Sequence, residues 1–287
     1  MIDRLAIIGV GLIGASLALA LKQASAVGHV VGCGRSENNL QKGLELGVID
    51  SYTTSIAEAA RSADVVVLAI PLGAMQMAFE QIRGSVGPQT IITDAGSAKG
   101  SVVKVAQAVL GDKISQFVPG HPIAGAEKSG VEAGLPDLYQ DRRVILTPLE
   151  STDPGAVNKI VDMWQACGAI IEYLDVEHHD KVLAATSHLP HMLAYSLVNY
   201  LSSLNDHDEI FKYAAGGFRD FTRIASSDPV MWRDVCISNG DALEALIEGF
   251  KKELDEVSLA IRNRDSDRLL VLFSTAKSER DTMIGNC

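Results

Sequence analysis

The stretch that decides the fold is residues 4–14, RLAIIGVGLIG, with the segment ASLALALKQ directly after it. The start of this stretch is a short, continuously apolar run, which is typical of a strand buried on both faces of a parallel sheet. The segment after it has the composition of a helix. Gly9, Gly11 and Gly14 stand between the two in a GxGxxG pattern. In this strand–turn–helix context the pattern predicts a dinucleotide-binding turn.

Each glycine of this turn has a steric reason. Gly9 permits the tight turn, Gly11 lets the backbone approach a pyrophosphate, and Gly14 lets the helix pack closely on the strand. The N–H groups at the helix start face the phosphates. We therefore expect Leu12 and Ile13 to join the three glycines in binding the cofactor.

A second strand is predicted at 29–33, and Arg35 and Ser36 follow it. NAD enzymes usually carry an Asp or Glu about 20 residues after the glycine turn, whereas an Arg there suits the 2′-phosphate of NADP. No acidic residue lies between the second strand and Glu37. We therefore expect NAD or NADP as the cofactor, with NADP slightly favoured. Because Arg can also lie flat against an adenine, NAD stays open. The loop at Pro71, after a third strand, is expected to run beside the dinucleotide.

The alternation of strands and helices continues to residue 174, and no strand pattern follows residue 177. This organisation predicts an α/β, Rossmann-type dinucleotide-binding domain over 1–174 and an all-α domain over 175–287. The remaining strands are predicted at 64–70, 90–93, 117–119, 143–147 and 169–174, and the helices between them at 56–61, 73–84, 101–110 and 156–166.

Composition excludes several classes of protein. Of the 287 residues, 47% are hydrophobic, and the formal net charge of −11 leaves no basic footprint for nucleic acid or an anionic membrane. The four cysteines have no metal-ligand spacing and are expected to be free thiols of a reducing compartment. The apolar run after Arg4 mimics a signal peptide, but its glycines favour a turn. We therefore expect a cytoplasmic protein.

The segment 119–130, PGHPIAGAEKSG, lies where the alternating pattern gives way to helices, and it holds His121 between Gly120 and Pro122. It follows a strand end, and ligands of open α/β sheets bind at the carboxyl ends of the strands. Ser97 and Lys99 follow another strand and belong in the same cleft. The plain alternatives are an ordinary loop histidine for His121 and a helix N-cap for Ser97.

The helix predicted at 184–204 is interrupted by Pro190, with His188 and His191 on either side of the expected kink. Histidines at this spacing could bind a metal, but no third ligand is evident, so we expect none. Two interpretations of the pair remain: both histidines belong to the core, or both point into a cleft as hydrogen-bonding groups.

Arg219 and Arg223 follow, four residues apart and close to Phe218, Phe221 and Trp232. In an acidic protein such a pair is a candidate clamp for a carboxylate, and surface ion pairing is the alternative. The last helix carries an apolar stripe opposite a charged face and needs a partner surface in its own chain or in a second subunit. The stripe consists of Leu243, Leu246, Ile247, Phe250, Leu254, Val257 and Ile261.

Taken together, five motifs resemble the prephenate/arogenate dehydrogenase family of tyrosine biosynthesis, and the resemblance covers almost the whole chain. The motifs are GVGLIGASLALAL, DAGSAKGSV, GHPIAGAEKSG, SHLPHMLA and GGFRDFTRIASSDPVMWRD. The resemblance implies an oxidative decarboxylation in which a ring carbon gives hydride to the nicotinamide, the ring hydroxyl gives its proton to a base, and the ring loses carbon dioxide. It also implies a helical, dimeric C-terminal domain.

The resemblance also implies residue roles. The base is His121, Ser97 bonds the substrate hydroxyl and orients the base, and Arg223 binds a substrate carboxylate. His191, with His188 close by, matches a substrate-contacting position. Two further residues match positions that line the site, Glu127 and Trp232, whereas Ala126 replaces a threonine of other members.

Several alternatives stay open at this stage. The substrate is prephenate, arogenate or both, and tyrosine inhibition is plausible from product similarity alone. A β-hydroxyacid dehydrogenase would need a helical-domain lysine, and Lys181 is poorly placed for that task. A non-catalytic regulator that binds the cofactor would have no need of the combined histidine, serine and arginine.

Overall fold

The structure is a computed structural model that describes residues 1–125 and 128–285. It contains two compact units, Met1–Gly240 and a second unit that starts at Asp241. Cys33, Cys167 and Cys236 are free thiols, and Cys287 lies outside the described residues. Within the described part of the chain, no helix has the length and apolar character needed to cross a membrane.

The first unit is built on a six-stranded, all-parallel sheet. Its strands run in the order β3-β2-β1-β4-β5-β6, which is the strand order of dinucleotide-binding folds, with the order reversing between β1 and β4. The strands are β1 Ile2–Ile8, β2 Val27–Cys33, β3 Ser51–Thr53, β4 Val65–Leu68, β5 Ile91–Asp94 and β6 Phe117–Val118.

Helices connect these strands. They are α1 Leu12–Gln23, α2 Glu37–Glu45, α3 Ile56–Ala60, α4 Met75–Arg83 and α5 Lys99–Leu110. The central strands are covered on both faces, because alternate residues enter two different cores: Leu5 and Ile7 pack in one, and Ala6 and Ile8 pack in the other. This two-sided burial explains why the strands are continuously apolar in sequence.

A second, three-stranded sheet lies beside the first in the same unit. It consists of β7 Gly120–Pro122, β8 Arg143–Leu146 and β9 Ile170–Tyr173, with α6 Pro154–Ala166 between the last two. β7 is antiparallel to β8, and β8 is parallel to β9. The strands predicted at 143–147 and 169–174 therefore exist, but β8 pairs with β7 and β9 pairs with β8, so neither extends the main sheet. Pro119 marks the switch, since the chain leaves β6 there and enters the second sheet.

The rest of the chain is helical in its described part, so the predicted fold class is confirmed. In the first unit the helices are α7 Val176–Leu183, α8 Leu189–Ser202, α9 His207–Lys212, α10 Gly216–Thr222 and α11 Pro229–Ser238. The second unit contains α12 Gly240–Arg262, which starts at the boundary, and α13 Ser266–Gly285.

The predicted helix 184–204 differs in one respect. A π-helical turn, Ala184–His188, separates α7 from α8, and Pro190 falls in the first turn of α8. Proline has no N–H, and the π turn shifts the hydrogen-bonding register by one residue just before it, so the chain continues as a helix. Sequence periodicity does not reveal this shift. The elements α2 and β3 were also missed, because β3 has only three residues and no readable alternation.

Candidate active site

The glycine turn between β1 and α1 has the geometry that a dinucleotide needs. Gly9 has a φ of 100°, and a Cβ there would collide with the carbonyl oxygen of Ala69. A Cβ on Gly14 would collide with the carbonyl oxygen of Gly9, while a Cβ on Gly11 would meet nothing within 4 Å. Gly9 and Gly14 thus allow the tight turn and the close packing of the helix, and Gly11 leaves the outer side of the turn open for a ligand.

The helix start supports the same conclusion. Gly11 is the N-cap of α1, and none of the side chains that the structure describes hydrogen-bonds to the amides of the first turn. Those amides, which include the ones of Leu12 and Ile13, lack a partner inside the helix and favour an anion. The residues present therefore fit the pyrophosphate of a dinucleotide.

Arg35 and Ser36 lie at the carboxyl end of β2, next to this turn in the sheet order. Arg35 is exposed and makes no ion pair or hydrogen bond to any residue that the structure describes. The Ser36 hydroxyl caps α2 by accepting from the Asn39 amide at 3.3 Å. Pro71 is exposed after β4, where it precedes a 3-10 turn.

A buried ion pair fixes the peptide that leads into His121. The Lys99 ammonium bonds the Asp94 carboxylate and donates to the Gly120 carbonyl at 2.6 Å, and both charged side chains are fully buried. Asp94 also accepts from the Gly120 amide at 3.2 Å. The position of Lys99 after β5 suggested that it faces a ligand in the cleft, and this prediction is wrong, because its ammonium is buried against Asp94. It holds the backbone next to the histidine.

His121 is the first member of a hydrogen-bonded chain of three side chains. Its Nδ1 lies 2.9 Å from Nε2 of His179, and Nδ1 of His179 lies 2.8 Å from Oδ1 of Asp180. His121 is 8% exposed and His179 is fully buried. The His121 Nε2 makes no hydrogen bond to the described residues, so it is the ring atom left for a substrate.

Asp180 also closes the start of α5. Its carboxylate accepts from the Lys99 amide at 2.7 Å and from the Gly100 amide at 2.8 Å. The N-cap of α5 is Ala98, whose side chain cannot accept a hydrogen bond. Ser97 is thus not the cap, and its side chain makes no hydrogen bond within the described residues. The capping group comes from α7.

The two histidines of the SHLPH motif have different surroundings. His188 is fully buried, and its Nδ1 lies 3.2 Å from the amide nitrogen of Asn239, which also donates to the Asp180 carbonyl at 2.8 Å. His191 is partly buried and donates from Nδ1 to the Ser187 carbonyl at 2.9 Å. Its ring stacks on Trp232 with centroids 3.7 Å apart.

Two buried nitrogens in this region make no hydrogen bond of good geometry to the described residues, although the Ser97 backbone is close enough to raise the pKa of one of them, His188. They are Nε2 of His188 and Nε1 of Trp232, whose rings lie 6.0 Å apart. Since Asn239 donates to Nδ1 of His188, the ring proton is on Nε2, and both nitrogens are hydrogen-bond donors. Buried donors without acceptors are costly, and a bound ligand would satisfy them.

Burial sets the electrostatics of the histidines. It lowers the pKa of His121 well below its ordinary value, and the neighbouring His179 and Lys99 act in the same direction. Burial lowers the pKa of His188 to about 4 and also lowers that of His191, on which the charge of Arg223 acts too. These rings are therefore neutral at neutral pH. Arg223 itself begins a 3-10 turn directly after α10.

The structure thus connects five predicted residues. His121, His188, His191 and Trp232 are linked through rings and hydrogen bonds, and Arg223 is close enough to act on His191. Glu127 and Ala126 lie outside the described residues.

Sequence reasoning missed His179, Asp180, Asn239 and Asp234. Asp234 accepts from the Gly73 amide at 3.2 Å and so anchors the loop after Pro71. Only Asn239 carried a sequence signal, as the polar residue that ends α11, whereas the other three lie inside helices, where nothing in the pattern sets them apart.

A parallel sheet with an open glycine turn, next to a buried neutral histidine, defines an NAD(P)-dependent dehydrogenase. Family models described as the nucleotide-binding domain and the dimerization domain of prephenate dehydrogenase match residues 17–173 and 175–275. The chain belongs to the prephenate dehydrogenase family.

Similar proteins agree with this assignment. The chain is 39% identical to a cyclohexadienyl dehydrogenase of Zymomonas mobilis, over 96% of this chain and 94% of that protein. It is 37% identical to a prephenate dehydrogenase of Bacillus subtilis, over 98% and 76%. The crystal structure of prephenate dehydrogenase from Aquifex aeolicus, in complex with hydroxyphenyl propionate and NAD+, matches with a TM-score of 0.91 and 37% identity over 99% of both chains.

Proposed function

We propose that this protein catalyses the NAD(P)-dependent oxidative decarboxylation of prephenate to 4-hydroxyphenylpyruvate in tyrosine biosynthesis. The observation that carries the proposal is the neutral His121, buried at the junction of the two sheets with its Nε2 left unbonded by the described residues. The names of the relatives supply the substrate class.

A dinucleotide held at the glycine turn would supply the hydride acceptor for the ring carbon that carries the hydroxyl. The protein's own task is to hold that hydroxyl and remove its proton. His121 suits this because its pKa, lowered by burial, keeps the ring neutral and able to accept a proton at neutral pH. The carboxylate then leaves as carbon dioxide, and the electron pair of the broken bond makes the ring an aromatic phenolate. The proton that the protein took up returns to that oxygen and gives the 4-hydroxyl of the product.

The substrate's polar groups need partners of matching chemistry. We assign the ring hydroxyl to Ser97 and His121, in line with the free Ser97 hydroxyl. Arg223 binds a carboxylate through its guanidinium. His188 and Trp232 each bring an unbonded N–H, and His191 has an acceptor Nε2 because its Nδ1 donates to a carbonyl.

For the cofactor, we propose that NADP is accepted at least as well as NAD. Arg35 is exposed and unpaired among the described residues, and Ser36 offers a hydroxyl beside it. A guanidinium at this position suits a 2′-phosphate. The NAD+ in the Aquifex aeolicus structure supports NAD binding by that relative.

We further propose that residues 1–174 bind the dinucleotide and that residues 175–287 bind substrate and form a homodimer. In α12, Leu254 and Ile261 of the apolar stripe are 53% and 60% exposed, which favours a partner surface. Tyrosine shares the 4-hydroxyphenyl group of the product, so inhibition at the same site is expected. The free thiols support a cytoplasmic location.

A second candidate is a dual-substrate enzyme that also oxidises arogenate. The cyclohexadienyl dehydrogenase among the relatives supports it. The two substrates differ by a keto group against an ammonium, so the groups beside the substrate side chain decide between them.

Steady-state kinetics with both substrates and both cofactors test these proposals. We expect a rise in absorbance at 340 nm with prephenate, and its absence with both substrates would refute the proposed reaction. His121→Asn should lower kcat by about 10²–10⁴-fold with KM little changed, because the base acts in the transition state. His29→Asn, at a partly buried histidine on β2 that bonds Ser51 at 2.8 Å, is the matched control and should keep normal kinetics.

A further inference from the structure

The hydrogen bonds behind His121 determine where each ring proton lies. The Asp180 carboxylate can only accept, so the Nδ1 of His179, 2.8 Å away, carries a proton. In the neutral ring the Nε2 of His179 is then an acceptor. The Nδ1 of His121, 2.9 Å from it, must donate and carries a proton. His121 is thereby left with an unprotonated Nε2, which is the form that a base requires.

We infer that His179 and Asp180 form a proton relay behind His121, with His179 as the acceptor of the proton that His121 passes on. This inference rests on the proposed function of His121 as the base. Without the relay, the proton would stay on the largely buried His121 imidazole, close to the Lys99 ammonium. With it, the charge moves to a ring that contacts a carboxylate.

The relay consists of two proton transfers. The bond between the substrate hydroxyl oxygen and its proton breaks, and an N–H bond forms at Nε2 of His121. The N–H bond at Nδ1 of His121 breaks, and one forms at Nε2 of His179. His121 is then neutral again with its proton on Nε2, and His179 is an imidazolium hydrogen-bonded to the Asp180 carboxylate. No electron is transferred in these steps.

The charges around the relay favour this direction. Lys99, whose ammonium lies near both rings, and His188 oppose a positive charge on His121. Burial lowers the pKa of His179 too, and the same lysine acts in that direction, but Asp180 and Asp94 oppose the shift. Among the described residues, no carboxylate opposes the lowered pKa of His121, so the charged form is less disfavoured on His179. Burial would raise the pKa of Asp180, yet the hydrogen bonds from His179 and from the amides of Lys99 and Gly100 outweigh it and lower the pKa. Asp180 therefore stays a carboxylate and can stabilise the imidazolium.

The relay is also held rigidly. Asp180 is fixed to two amides of α5 at 2.7 and 2.8 Å, and Asn239 donates to its backbone carbonyl at 2.8 Å. His179 is fully buried. Such a group with both ring nitrogens occupied is a positioning and relay residue and does not need to touch the substrate.

Three variants separate the relay from a merely structural role. His179→Gln keeps an oxygen that can accept from His121 but cannot take up a proton, so kcat should fall about 10-fold with KM unchanged. His179→Ala removes the acceptor and frees His121 to take the wrong tautomer, so kcat should fall by about 10² or more. His178→Gln, at the exposed neighbour on α7, is the matched control and should stay within about twofold of wild type.

A spectroscopic measurement tests the proton positions without turnover. In protein labelled with ¹⁵N-histidine, NMR should show His121 and His179 as neutral rings protonated at Nδ1, the reverse of the form that free histidine favours. His121 should keep this form in His179→Gln and lose it in His179→Ala. An Nε2-protonated His121 or His179 in the wild-type enzyme would overturn the relay.

The outcomes distinguish the relay from the proposed function. If prephenate and arogenate are not oxidised but the NMR tautomers are as stated, the reaction is wrong and the hydrogen-bond chain stands. If wild type turns over prephenate and His179→Gln has an unchanged kcat, the reaction stands and the relay is refuted.

Discussion

The buried pair of Lys99 and Asp94 allows a quantitative prediction. Lys99→Met keeps the length of the side chain but leaves a fully buried carboxylate without its cation, and it removes the donor to the Gly120 carbonyl. Breaking a buried pair by removing one partner costs about 3–5 kcal/mol. In a unit of this size each kcal/mol lowers Tm by about 2–4 °C, so we expect a fall of about 6–20 °C.

The control for this substitution is on the same helix. Lys104 is exposed on α5, and Lys104→Met should change stability by less than about 0.5 kcal/mol. The double variant Lys99→Met with Asp94→Asn should regain part of the lost Tm, because the uncompensated charge is the main penalty. Thermal unfolding followed by circular dichroism measures all three.

Activity provides the second measurement on these variants. The Gly120 carbonyl directly precedes His121, so loss of its anchor should lower kcat in Lys99→Met at temperatures where the protein is folded. Equal Tm values for Lys99→Met and Lys104→Met would show that the pair does not support the fold. An unchanged kcat in Lys99→Met would show that it does not position the base.

Three further predictions concern binding and pH. Arg223→Ala should raise KM for prephenate at least 10-fold with a smaller effect on kcat, and normal prephenate binding would refute the carboxylate assignment. Arg35→Ala should raise KM for NADP more than KM for NAD, and equal effects would remove the case for 2′-phosphate recognition. Because the pKa of His188 is lowered to about 4, the folded state resists its protonation, and stability should fall by about 2 kcal/mol between pH 7.5 and pH 5 on account of this residue. Urea unfolding of His188→Gln should show a smaller fall in the free energy of unfolding between these pH values than the wild type shows. The same fall in both proteins would contradict the role given to His188.

The sequence was sufficient for features that depend on local pattern. The glycine turn is predictable because its conformation excludes side chains at Gly9 and Gly14, and the buried strands are predictable because both faces are covered. The separate sheet formed by β7, β8 and β9 was not predictable, since a strand pattern does not state which strand pairs with which. Lys99 was misplaced for a similar reason: its position after a strand did not reveal that Asp94 would bury it.

Residues that act through long-range contacts were equally hidden. His179 and Asp180 lie in the middle of the short helix α7, 58 and 59 positions after His121, and only folding brings His179 within 2.9 Å of it. The family resemblance led to the groups proposed to touch the substrate. It did not lead to the groups that support them.

Two aspartates of the helical segment show how the cofactor loops and the base are connected. Asp180 binds the amides at the start of α5, and Asp234 binds the Gly73 amide in the loop after β4. Both loops lie at the same edge of the sheet as the glycine turn, since β4 neighbours β1 and β5 neighbours β4. The same Asp180 carboxylate holds His179, and through it His121. One carboxylate therefore holds both the start of α5 and the ring behind the base, so Asp180 ties the position of His121 to the loop after β5.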